Sequence, residues 1–225
     1  MSHDIRCSFL VVSMALLSSV CAAEPQYIKA LDIGQSYSAS TFSGSLATAG
    51  GHRYESKGSY PAGMPIRGHL VSAVKRGRAI TFQSELGSGQ YNMLKLTPYL
   101  HNGDTGQDTR DSVARFYEMA LKGNPDMLVY VVTHWPPRLH SDRQGWMDEN
   151  APLFRRMVDE TNASHIGPGR PLRLVPRGEA MLDLYRRARA GQVPGVTGLD
   201  QLYYDSGHAG AISIYLFNLM EYALI

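Results

Sequence analysis

The chain has 225 residues, of which 44% are hydrophobic and 19% charged, and its net charge is +2. That length suffices for one α/β domain with a full core, and so weak and scattered a charge argues against nucleic acid as a partner. The 22 glycines and 12 prolines suit a loop-rich sheet protein, not a collagen or a disordered chain.

Residues 1–23 read as a secretory signal peptide. Arg6 is a weak basic start, residues 7–20 form an apolar run of the right length, and Cys21-Ala22-Ala23 supplies small residues before Glu24-Pro25. Cleavage is expected after Ala23, with Ala22 as the neighbouring choice; an uncleaved anchor or a lipidated Cys21 are the alternatives. The expected location is secreted or periplasmic, free of the membrane after cleavage. Cys7 and Cys21 are the only cysteines. The mature domain, residues 24–225, would then hold no disulfide, thiol nucleophile or cysteine metal site.

Tyr27–Ile33 is apolar and ends in Gly34-Gln35-Ser36, which predicts strand, tight turn and helix. Such a turn leaves the Ser36 hydroxyl at the carboxyl end of the strand, where open α/β sheets bind ligands. A helix is expected over 38–49, with Phe42, Leu46 and Ala49 on one face and Gly50-Gly51 as its stop. A polar second strand over 52–60 suits a sheet edge. Residues 58–69 form a structured Gly/Pro loop with His69 at its end, read as structural. A short helix over 70–74 and a third strand over 79–82 follow. The glycine-punctuated stretch 84–107 predicts a long connection bordering the cleft.

Residues 108–121 predict a helix with Val113, Phe116, Tyr117 and Ala120 on one stripe. The apolar, β-branched run 127–133 reads as a central parallel strand. It leads into His134-Trp135, expected to line the cleft, the indole either stacking on a sugar ring or packed under the loop. A polar loop over 138–149, a helix over 150–161, a fifth strand over 171–175 and an amphipathic helix over 178–190 come next. Arg186, Arg187 and Arg189 near the end of that helix read as a solvated face. After the loop comes Tyr204-Asp205-Ser206-Gly207-His208, and an apolar helix is expected over 211–224. The chain stops there without a polar tail, which reads as a shortened C-terminus. Should its two ends meet in space, Ser36, His208 and Asp205 supply a nucleophile, a base and the base's orienting carboxylate. No metal signature or nucleotide loop is present, so no cofactor is expected.

A first-strand Gly-Gln-Ser followed by a last-loop Asp-x-x-His resembles the first and fifth sequence blocks of the SGNH (GDSL-like) hydrolases. The likeness includes a bacterial branch whose first block reads Ile-Gly-(Asn/His/Gln)-Ser-(Phe/Tyr). The resemblance implies a flavodoxin-like, three-layer α/β/α sandwich around a five-stranded parallel sheet, and a serine esterase. It implies Ser36 as nucleophile, His208 as base and Asp205 as its partner. It further implies an oxyanion hole from the Ser36 and Gly63 backbone N–H groups and the Gln83 amide. Gly58 is the second choice for Gly63, which begins a Gly-x-x-x-x-x-His pattern, and Asn92 and Asn102 are rivals of Gln83. The third-block Gly-x-Asn-Asp is missing. Export and Trp135 favour a carbohydrate ester as substrate. A catalytically silent relative that binds glycans, or an exported interaction module, are the competing readings.

Overall fold

The computed structural model describes residues 26–40, 44–71, 82–100 and 106–224. Strands β1 (Tyr27–Ile33), β2 (Arg53–Ser59), β3 (Met93–Leu96), β4 (Leu128–Val132) and β5 (Arg173–Val175) form one sheet in the order β2-β1-β3-β4-β5. Every pairing is parallel. The expected five-stranded, three-layer architecture is the one observed. The order reverses direction between β1 and β3, which opens a crevice at their carboxyl ends.

Helices α1 (Gly44–Ala49), α2 (Ile66–Val71), α3 (Phe82–Gly87), α4 (Gln107–Gly123), α5 (Arg143–Ser164), α6 (Arg177–Arg189) and α7 (Ala211–Tyr222) flank the sheet. Alternation along the strands decides which layer each residue feeds. Leu31, Ile33, Leu94, Leu96, Val129 and Val131 pack with Ile66, Leu86, Phe116 and Phe154 from α2 to α5. Ile28, Ala30, Met93, Tyr130, Val132 and Val175 face the other way, against Met220. The α4 stripe Val113, Phe116, Tyr117 and Ala120 is buried as its spacing predicts. No helix of the described residues is long and apolar enough to cross a membrane.

Three sequence expectations are corrected. The helix over 38–49 is a 3-10 turn, Ser36–Ser40, and then α1, with Phe42 outside the described residues. Helix α5 begins well before residue 150, inside the stretch read as a loop. Its N-cap Asp142 accepts from the Gly145 N–H at 2.7 Å, and Pro152 sits within it.

Among the described residues the third strand is Met93–Leu96, inside the expected connection; residues 79–81 of the expected strand lie outside the described residues, and Phe82 already belongs to α3. The strand was hidden because four residues carry a lysine in their midst. Lys95 is 2% exposed. Its ammonium meets Asp32 of β1 at 3.1 Å and Glu221 of α7 at 2.8 Å. Arg177 also pairs with Glu221, and Tyr60 donates to Asp32 Oδ2 at 3.2 Å. Two cations and two carboxylates thus neutralise one another in the layer beneath α7.

Candidate active site at the carboxyl edge of the sheet

Gly34 ends β1 and lets the chain turn where it is most crowded. A Cβ there would stand 2.9 Å from Thr97 Cβ and 3.1 Å from the Thr97 carbonyl, at the end of β3. The turn is tied down twice. The Gly34 N–H donates to Ser59 O at 3.1 Å, and buried His69 donates from Nε2 to the Gly34 carbonyl at 2.7 Å. A carbonyl only accepts, so that bond fixes the proton on Nε2. Burial lowers the His69 pKa, which keeps the ring neutral. The structural reading of His69 thereby gains a definite task, holding the turn that carries Ser36.

Ser36 opens the 3-10 turn and is half-buried. Its hydroxyl donates to Gln35 Oε1 at 3.2 Å, an oxygen that also accepts from the Tyr37 N–H at 3.1 Å. Across the crevice, Asp205 Oδ2 lies 2.7 Å from His208 Nδ1. Asp205 Oδ1 accepts the Gly207 and His208 backbone N–H groups at 2.8 and 2.7 Å. Those bonds, the His208 N–H foremost and then that of Gly207 and the imidazole, hold the Asp205 pKa down at about 2. With the carboxylate on Nδ1, Nε2 of a neutral ring is left as an acceptor. The imidazole remains 41% exposed and open to solvent.

Tyr37 joins the two ends of the chain. Its ring stacks on His208 at 5.4 Å between centroids and 30° between planes. It also meets Trp135 edge-on at 4.9 Å. Trp135 Nε1 donates to the Gly207 carbonyl at 2.9 Å, and the Arg138 N–H donates to Ser206 O at 2.9 Å. The segment after β4 therefore grips the Asp-x-x-His loop against the turn after β1. Ser36 and His208 lie at one edge of the sheet, on adjoining segments. Among the described residues no hydrogen bond joins Ser36 Oγ to His208, because the hydroxyl rests on Gln35.

The oxyanion candidates separate clearly. Gly63 lies in the loop after β2 with φ +62°, a left-handed backbone that glycine adopts freely. Among the described residues neither the Gly63 nor the Ser36 backbone N–H has an acceptor, so both remain available as donors. Gln83 is corrected: it stands exposed on α3, not at the end of a strand. Asn92 is occupied at the opposite edge of the sheet, accepting from the Lys29 N–H and donating to Tyr27 O. Gly58 lies within β2, opposite Asp32. Asn102 lies outside the described residues, as does the signal-peptide segment.

His134 and Trp135 border a cavity of about 500 Å³ beside this edge, but from beneath. Trp135 is 0% exposed, clamped between Phe217, stacked at 4.7 Å, and Tyr37. The indole is packed under the loop, the second of the two expected alternatives, and offers no face to a sugar. His134 is sealed as well, and burial pushes its pKa down to about 4. Of the partly exposed residues that line the cavity, Tyr37, Tyr99, His140 and Trp146 were not foreseen as lining it. The signal available for two of them was position: Tyr37 follows the turn serine, and Tyr99 stands just past β3.

No protein-family model matches the chain, and no curated protein matches it by sequence. Solved structures share its fold at low identity. A DUF4886 family protein from Bacteroides uniformis is 14% identical, with a TM-score of 0.56 over 87% of this chain and 82% of that one. A GDSL-like lipase candidate from Parabacteroides merdae is 11% identical, with a TM-score of 0.56 over 87% of this chain and 94% of that one. A family two carbohydrate esterase from Clostridium thermocellum, solved with cellohexaose, is 13% identical, with a TM-score of 0.53 over 90% of this chain and 64% of that one. Five parallel strands flanked by helices give the chain the α/β fold of these solved structures, the GDSL-like lipase candidate among them.

Proposed function

We propose that the protein is an exported serine esterase that cleaves a carboxylic ester of a carbohydrate. The observation that carries this reading is the 2.7 Å bond between Asp205 and His208, beside the turn that bears Ser36. The Ser36 hydroxyl leaves Gln35 Oε1 and turns to His208 Nε2. The imidazole takes the proton as Oγ attacks the ester carbonyl, and Asp205 stabilises the resulting cation. The Ser36 and Gly63 backbone N–H groups receive the oxyanion, each worth about 3 kcal/mol of barrier. The proton then passes to the departing alcohol, and water, activated by the same imidazole, releases the acyl group from Ser36. The carbohydrate part of the reading draws support from the carbohydrate esterase of like fold that was solved with cellohexaose. Export rests on residues 1–23 alone, and the mass of the mature N-terminus tests it.

One observation favours a second reading, a silent relative that binds glycans: the serine hydroxyl is bonded to Gln35, not to His208. A fluorophosphonate probe separates the two. Labelling of the wild type and not of Ser36→Ala, together with hydrolysis of an acetylated oligosaccharide, is the expected result. A correctly folded wild type that neither labels nor hydrolyses would overturn the esterase.

A further inference from the structure

The cavity beside Ser36 is an aromatic chamber. The sealed His134 ring forms its floor, with Tyr37 at 5.8 Å, Tyr99 at 5.9 Å and Trp146 at 5.1 Å between centroids. The volume of about 500 Å³ is well inside the range of small-molecule sites, roughly 300–1,000 Å³. Among the described residues no Asp, Glu, Lys or Arg lines it. His134 adds no charge either, since burial keeps it neutral.

Two rings that open onto the cavity have an apolar face and a polar edge, a phenol hydroxyl on Tyr37 and an indole N–H on Trp146, and Tyr99 adds a further aromatic wall. His140 also borders the cavity, and its Nδ1 has no partner within the protein among the described residues. That ring can turn a nitrogen toward a ligand hydroxyl. A wall of this kind suits a ligand that is itself apolar on its faces and hydroxylated around its rim. A plain arene would leave the polar edges of Tyr37 and Trp146 unpaired, and an anion would find no counter-charge among the described lining residues.

We propose that this cavity is a glycosyl subsite for an uncharged pyranose unit, with Trp146 as its specificity-determining platform. The inference rests on the esterase reading, in which the bound sugar carries the ester to Ser36. Trp146 sits in the first turn of α5, so the platform is held by a rigid element.

The chain's 2 tryptophans, Trp135 and Trp146, both line this cavity, so selectively excited tryptophan emission reports on it. The experiment titrates full-length Ser36→Ala with neutral tetrasaccharides of glucose, xylose, mannose and galactose, with tetragalacturonate, and with methyl benzoate. The expected result is a saturable fluorescence change with at least one neutral tetrasaccharide, at least about ten-fold weaker for the anion. Measured by isothermal titration calorimetry, because these variants lack the reporting indole, Trp146→Ala weakens that binding about ten-fold while Trp146→Phe stays within about three-fold. Saturable binding of none of the neutral sugars, equal binding of the anion, or binding of methyl benzoate alone overturns the subsite. Labelling of the wild type by fluorophosphonate is scored separately. Labelling without sugar binding sinks the subsite and leaves the esterase; sugar binding without labelling does the reverse.

Discussion

Replacing His134 with phenylalanine should make the protein less sensitive to acid. The imidazole is 3% exposed, and burial pushes its pKa from 6.5 down to about 4. In the unfolded chain the same ring titrates near its ordinary value of about 6.5. Below that pH the unfolded state holds a proton that the folded state refuses. Stability therefore rises with pH across this window and falls on acidification. The loss begins near the unfolded value and stops growing once the pH passes about 4, where the folded ring takes up its own proton. At about pH 4.5 the two titrations differ by about 2.5 kcal/mol. Phenylalanine cannot titrate and keeps a ring against Trp146 and Phe154. It loses the 3.4 Å acceptor for the Leu100 N–H and the ring's hydrogen bond to the Trp135 backbone, a penalty of about 1 kcal/mol each at any pH. Urea unfolding followed by circular dichroism, at about pH 7.5 and about pH 4.5, measures the difference. Wild type should lose about 2.5 kcal/mol more than the variant between the two conditions, with the remaining histidines cancelling. Equal losses would refute the sealed, neutral imidazole at the floor of the cavity.

Asp205→Asn should lower kcat for ester hydrolysis roughly 10⁴-fold, because an amide N–H facing Nδ1 forces the proton onto Nε2 and removes the base. Retained activity would show that the 2.7 Å contact does not orient His208. With its pKa held at about 2, Asp205 stabilises the folded loop above its ordinary value of 3.8 and loses that effect only as the pH falls toward 2. A pH–rate profile that loses activity well above that window must owe the loss to another group. Lys95→Met leaves Asp32 and Glu221 without their shared cation, and chemical denaturation should register a loss of about 3–5 kcal/mol. The double variant Lys95→Met/Asp32→Leu should recover part of it, and strict additivity would argue against coupling. Gly34→Ala forces a Cβ against Thr97, whose N–H is fixed to Ile33 O at 2.9 Å. A loss of about 1–3 kcal/mol and slower fluorophosphonate labelling are expected; wild-type rates would mean that the turn has room to spare.

The local rules read the strongly patterned segments well. The run into Gly34-Gln35-Ser36, the α4 stripe and the near-continuous apolar β4 announce their structure through periodicity and breakers, which neighbouring residues alone determine. The Asp205–His208 contact was legible for the same reason, because the two residues share one short loop. What the sequence could not announce was anything that depends on a partner far along the chain. Lys95 looks like a strand breaker until Asp32 and Glu221 arrive to neutralise it, so β3 was missed. With that strand displaced, Gln83 lost its place at the sheet edge. Trp135 follows a strand, and only the packing of Phe217 and Tyr37 on its two sides decides that the indole is buried.

The amino-acid order by itself determined the class of architecture and singled out Ser36, Asp205 and His208 as candidates. Hydrophobic periodicity and turn residues act over a few positions and need no tertiary context. The tertiary structure alone decided which rings face the cavity, which charges cancel and which donors stay free. Those outcomes turn on side chains brought together from distant segments, and burial, not sequence spacing, sets their energies.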